Sequence, residues 1–307
     1  MPLSDKRQSK TAKAPHRGIR RNLHDALGTG RGQFGFALVA LVVLVAVVGP
    51  FVAPHSAVEF TTAPYASPGG RNGFLGGDTL GRDVFSRVLH GGWVLLLLAA
   101  TATLAGVVVG AMLAVVAAYR GGWVETLIMR GVDVGLAVPQ MVLALLLVSV
   151  SGASLWLVVF AVASSQGPQV ARVMYSSTQD IVERDYVKVA RMWGTPSLKV
   201  VRREVLPNLM SPLMVDAGIR LSFSIIIVAG LAFLGFGRQP PAADWGVMIN
   251  ENRLGLLTNP WGVIAPAILL ILLAIGANTF TDAIARTTLS ESQSEPEPTA
   301  DTAVPSE

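Results

Sequence analysis

The nearest approach to a phosphate-binding loop in this chain is Gly76 to Arg82, G-G-D-T-L-G-R. It lacks the terminal Lys-Ser/Thr pair that reaches phosphate and Mg²⁺, so ATP hydrolysis by this chain is not expected. Cysteine is absent, which excludes disulfides, Cys-ligated zinc and thiol chemistry. The four histidines, His16, His24, His55 and His90, show no metal-ligand spacing. No group of His, Asp or Glu presents a nucleophile and a base at one depth, so no catalytic, cofactor-binding or metal-binding residue is expected. What remains is charge in apolar surroundings, which is functional by default inside a membrane. Asp133 opens one apolar stretch, and Asp216 and Arg220 lie four apart in another. That pair reads as mutually neutralising or as a gate contact. Pro139 stands where it would kink a helix near a pathway.

The elements that must hold these groups are membrane spans. Of 307 residues, 51% are hydrophobic and 14% charged, against about 25% charged in soluble domains. Spans are expected at about 34–54, 93–118, 132–150, 154–168, 213–236 and 261–284. The charge-free run 134–171 would reach about 57 Å as one helix, nearly twice the roughly 30 Å hydrocarbon core. It must therefore fold back, and Ser151-Gly152-Ala153-Ser154 is the natural place. Six spans put both termini on one side. That side carries eighteen Lys and Arg against five on the other, which makes the termini cytoplasmic.

The fold class expected is thus an all-α integral membrane protein of six transmembrane helices. A basic cytoplasmic tail (1–32) precedes a first helix and extracytoplasmic segment (33–92). A five-helix core (93–286) contains a polar loop at 169–212, and a disordered acidic tail (287–307) follows. The basic tail is a sufficient topology signal, so nucleic acid is not an expected partner. The lipid bilayer is.

The polar loop is the anomaly. In D-Y-V-K-V-A-R-M-W-G-T-P-S-L-K-V-V-R-R-E-V-L-P-N (185–208), Tyr186, Val189, Ala190 and Trp193 share one helix face. Lys188 and Arg191 point elsewhere. Gly194 suits a helix end, Thr195 a cap with Pro196 at the first helical position, and Pro207 a stop. Two helices joined by a tight turn result. Their composition fits an amphipathic hairpin on anionic lipid or a docking knob for a cytoplasmic partner. Two further segments are read as accessory. Residues 76–87 are expected to form an interfacial helix with Asp78–Arg82 and Asp83–Arg87 pairs and Leu80, Val84 and Val88 on its apolar face. Pro240, Pro241 and Trp245 suit a stiff loop anchored at the membrane interface.

Gly194, nine residues, then Glu204-Val205-Leu206-Pro207 resembles the E-A-A-x3-G-x9-I-x-L-P signature of ABC importer permease subunits. The E-A-A positions hold Lys188, Val189 and Ala190, and Glu204 replaces the isoleucine, so no role of the family glutamate carries over. Segments 73–92, 119–139, 233–253 and 259–285 are similar to the dipeptide/oligopeptide/nickel branch, specifically to the second of its two permeases. The resemblance implies a type I importer fold and a coupling helix that seats on an ATP-hydrolysing subunit. It assigns that contact to Tyr186, Lys188, Ala190, Arg191, Gly194, Leu206 and Pro207. It further implies a second permease, two ATPase subunits that use ATP and Mg, an extracytoplasmic substrate-binding protein, and residence in the bacterial inner membrane. The expected cargo is a di- or oligopeptide, with nickel or another small solute as the alternative. A stand-alone secondary transporter would show inverted repeats and buried coupling charges, and neither is evident.

Overall fold

A computed structural model describes residues 25–151 and 154–293. Most of the basic tail, most of the acidic tail and the centre of the Ser151–Ser154 turn lie outside them. The described chain is helical almost throughout: α1 (Gly30–Val52), α2 (Val84–His90), α3 (Gly92–Arg120), α4 (Gly122–Ala137), α5 (Gln140–Ser151), α6 (Leu155–Val182), α7 (Asp185–Met192), α8 (Ser197–Val200), α9 (Leu206–Leu231), α10 (Trp245–Asn252) and α11 (Trp261–Gln293). Among the described residues four helical stretches are long and apolar enough to cross a membrane, or five if the bent pair α4–α5 counts as one. The sixth expected span falls on α6. Its 28 residues reach about 42 Å, but its second half is polar.

Helix α4 begins at Gly122, before the expected third span, and α11 runs to Gln293, past the expected start of the acidic tail at 287. Three further differences have a clear local reason. Helix α1 starts at Gly30 because the Thr29 hydroxyl accepts from Gly32 N–H at 3.1 Å, which draws Arg31 into its first turn. Helix α6 does not end near Pro168 but runs on to Val182. Its buried Gln166, Val170, Met174 and Thr178 keep one face against the bundle, so residues 169–182 are helix. Pro207 does not stop a helix. It sits in the first turn of α9, and a π-turn at Val201–Val205 joins α8 to α9. The wider turn accommodates the ring and the missing N–H. One stretch, Ser197–Phe236, therefore runs 40 residues.

Helix α3 packs against α6, α1 against α11, and α9 against both α3 and α11. Small residues make the first two contacts close. A Cβ built on Gly110 would stand 2.6 Å from the Gly167 carbonyl oxygen, and one on Gly35 2.5 Å from Phe280 N. Such backbone approach is how helices associate where lipid supplies no hydrophobic drive. One apolar core (Val42, Ala46, Leu95, Val162, Ile225, Leu273) lies towards the end where α3 begins. A second (Val107, Val115, Val170, Met174) lies towards the end where α3 finishes. The first end, closed over by the 53–83 segment, α2 and α10, is termed the cap end, and the other the hairpin end.

Candidate functional site

At the hairpin end, α7 and α8 project from the bundle as the expected helix pair. The turn between them closes by two bonds, Gly194 N–H to Arg191 O at 3.0 Å and Thr195 N–H to Ala190 O at 3.2 Å. With Gly194 at φ +70°, this is a left-handed helix end that satisfies the last carbonyls. The start of α8 corrects the sequence reading. Pro196, not Thr195, occupies the cap position and Ser197 is the first helical residue, with no side-chain cap bond.

The anchoring face also differs. Val187 is the fully buried residue of α7, and it joins Val200, Val205 and Leu209 in the core shared with α3 and α6. Ala190 and Leu206 pack partly against that core. Most of the stripe read from the spacing points outward instead. Tyr186 and Val189 are exposed, and Met192, Trp193 and Leu198 retain 80%, 83% and 79% of their surface. These large apolar side chains stand beside the cations Lys188, Lys199, Arg202 and Arg203 on the same hairpin. Arg191 is half committed to the bundle: its guanidinium lies 3.9 Å from the centre of the Tyr119 ring and donates to Tyr119 O. Lys188, Gly194 and Pro207 are exposed. An open cleft of about 650 Å³ beside the turn is lined by Pro196, Leu198, Lys199, Arg202 and Arg203. From the sequence, Leu198, Val201 and Val205 read as one apolar stripe of the second helix, but the structure splits them: Val205 is buried in the core and Val201 packs against it, while Leu198 points outward. Val187 and Met192 are not singled out by the spacing.

Asp216 and Arg220 are both buried and paired, with Arg220 Nη2 donating to Asp216 Oδ1 at 3.1 Å. Arg220 also donates to Gln169 of α6. Further along, Gln166 Nε2 donates to Ser224 Oγ at 2.7 Å, and Ser224 Oγ lies 2.6 Å from Thr103 Oγ1. A polar seam thus joins α3, α6 and α9 inside an apolar bundle. Pro139 falls in the gap between α4 and α5, whose axes differ by 91°, a sharper break than a kink. Asp133 pairs with Arg172 and Glu125 accepts from the Tyr175 hydroxyl, so α4 is tied to α6 at two points.

At the cap end, Gly76–Asp83 is not helical. Asp78 folds it into a turn by accepting from Leu80 N–H at 2.8 Å and Arg82 N–H at 2.9 Å. Those amides cannot cradle a phosphate. The Asp78–Arg82 pair forms at 2.6 Å, but Asp83 does not pair with Arg87. It caps α2 through Ser86 N–H, and Arg87 instead meets Asp78 and, at 2.7 Å, Glu251 of α10. Leu80 is exposed while Val84 and Val88 are buried. Trp245 is likewise not an interfacial anchor. It is fully buried and donates to Val88 O at 2.8 Å. Asp244 caps α10 from a buried position, and burial pushes its carboxyl above the ordinary carboxylate range although Val247 and Gly246 N–H and the Arg238 charge act against the shift. Among the described residues no group of His, Cys, Asp and Glu could hold a metal.

The structure is thus a multi-pass helical protein with a cationic, apolar-tipped hairpin anchored at one end of the bundle. Residues 106–289 match the family described as binding-protein-dependent transport system inner membrane component. The chain is 32% identical to the glutathione transport system permease protein GsiD of Pectobacterium atrosepticum over 90% of its own length and 91% of that protein. It is 33% identical to the di/tripeptide transport system permease protein DppC of Pseudomonas aeruginosa (81% and 84% covered). It is 28% identical to the dipeptide transport system permease protein DppC of Alkalihalophilus pseudofirmus (81% and 82%). The chain belongs to this family of importer permeases, in its dipeptide/oligopeptide branch. It is a multi-pass inner-membrane component and not the ATPase of its transporter.

Proposed function

We propose that this chain forms, with a second and sequence-unlike permease, the translocation path of a di- or oligopeptide importer. An extracytoplasmic binding protein delivers the peptide at the cap end. The α7–α8 hairpin docks one of two ATPase subunits, which bind the ATP and Mg that drive the cycle. Both termini and the hairpin face the cytoplasm in this reading, which the Lys and Arg distribution supports. The observation that carries the docking role is the hairpin's division of labour: Val187, Val200 and Val205 fix it to the bundle while Met192, Trp193 and Leu198 are left for a partner. The substrate class is supported by relatives whose names specify glutathione, di/tripeptide and dipeptide transport.

A photo-crosslinking residue at position 193, in the complex extracted with mild detergent, tests this reading. An ATPase subunit joined to the hairpin, with peptide uptake by the reconstituted complex, is expected. Crosslinks to lipid alone, with no ATPase copurifying, would return the hairpin to a membrane-surface role.

A further inference from the structure

A groove of about 310 Å³ runs between the first turns of α3 and α6 at the cap end, lined among others by Trp93, Leu97, Thr101, Trp156, Val159 and Arg238. Its walls are aliphatic and aromatic. Its only charge is Arg238, from the loop between α9 and α10, whose guanidinium stands 5.8 Å from the centre of the Trp93 ring. Among the described residues no carboxylate lies within salt-bridge distance of Arg238. The Thr101 hydroxyl is used by its own helix, donating to Leu97 O at 2.8 Å, so it adds no polar demand to the floor.

The order of these groups along the membrane normal is informative. Trp93 and Trp156 are the second residues of helices that enter the membrane here, the depth at which tryptophan collects. Arg238 sits at that depth too, and the leucine and valine floor continues inward for about two helical turns, roughly 10 Å. A water-filled groove of this composition is unfavourable. Asp244 feels the Arg238 charge from a buried position. A peptide carboxylate could pair with the guanidinium but would leave the apolar floor unfilled. An amphiphile with an anionic head and an acyl chain satisfies both ends.

We propose that this groove is a site for one anionic phospholipid of the leaflet at the cap end, its phosphate on Arg238 and its acyl chain between α3 and α6. A guanidinium matches phosphate in shape as well as charge. The lipid would fill the wedge where the two helices diverge and brace the Trp93–Arg238 contact.

Tryptophan quenching by brominated lipid reads this site directly, because two groove walls are indoles. The intact complex is placed in phosphatidylcholine nanodiscs doped with dibrominated phosphatidylglycerol or, separately, dibrominated phosphatidylcholine. The Trp93 and Trp156 signals are isolated by comparison with Trp93→Phe and Trp156→Phe. Phosphatidylglycerol should quench them about fivefold more effectively than phosphatidylcholine, the preference that one interfacial cation gives. Arg238→Ala should abolish the preference and Arg238→Lys retain part of it. Leu97→Phe, which fills the groove without adding an indole, should displace the lipid with Arg238 in place. Competition by glycerophosphoglycerol alone would show a headgroup site without an acyl subsite and overturn the proposal. Equal quenching by the two lipids would also overturn it, as would indoles shielded from both by the second permease.

Discussion

Gly194 gives the sharpest test of the hairpin. Its φ of +70° lies where L-residues are strained, but a Cβ built there meets nothing within 4 Å. Alanine therefore costs only the left-handed backbone, about 1 kcal/mol, or roughly a fivefold shift in the turn's local equilibrium. Val187, Val200 and Val205 are all buried, and each contributes about 1.5–3 kcal/mol by burial, so the hairpin absorbs that loss. Proline is different. It cannot adopt positive φ, and it removes the N–H that bonds Arg191 O at 3.0 Å. The cost is about 3 kcal/mol or more, on the order of 100-fold, and the turn must rearrange so that α7 no longer points where α8 requires. Peptide uptake by the reconstituted complex, together with ATPase copurification, measures the outcome. Gly194→Ala should retain most uptake, and Gly194→Pro should lose it while the permease still inserts. Unchanged uptake in Gly194→Pro would refute the hairpin's role. Equal damage from both variants would refute the backbone argument and place the partner's surface against Gly194 itself.

Trp193→Ala and Leu198→Ala should leave the detergent melting temperature of the complex-free chain unchanged yet weaken ATPase binding by about 10- to 100-fold, the range of interface hot spots. Val187→Ala should do the reverse and lower the melting temperature first. At the cap end, Asp78→Asn strips the carboxylate from two buried arginines and should cost about 3–5 kcal/mol, more than Glu251→Gln, whose side chain is partly exposed. Thermal melts of the two variants, side by side, give the ranking. Asp244 has a raised pKa in the fold, so its contribution is fullest at acid pH and is lost as pH rises through the folded value. Asp244→Asn keeps a good helix cap and should match or exceed the parent's melting temperature at neutral pH, with the gap closing on acidification. Asp244→Ala should lose about 1 kcal/mol of capping.

The spans and the hairpin were legible in the sequence because each rests on a local signal. Long charge-free runs specify helices in lipid, and Gly194 marks a helix end by itself. The errors arose where a distant residue decided the outcome. The spacing Asp83–Arg87 is right for a helical pair, but Arg87 is drawn to Asp78 and Glu251, 164 positions from the latter. Trp245 has an interfacial composition around it, and only the fold brings Val88 O to its indole. Pro207 reads as a terminator until a π-turn takes up its ring. The hairpin stripe is legible only in part: Tyr186, Val189 and Trp193 face outward, whereas Ala190 packs with Val187 on the core. Periodicity does not say whether a stripe faces home or abroad.

The join at Val201–Val205 has a mechanical consequence. Because α8 continues into α9, one arm of the hairpin and a membrane-crossing helix form a single strut of 40 residues, about 60 Å long. A strut that long turns a rotation of about 5° at its foot into a sideways displacement of about 5 Å at its tip. The tip is Gly235 and Phe236, where the chain leaves for Arg238 and the cap, and Asp216 and Arg220 ride along its length. If a partner pushes on the foot, as the proposed docking implies, the movement would reach the cap end through the helix itself.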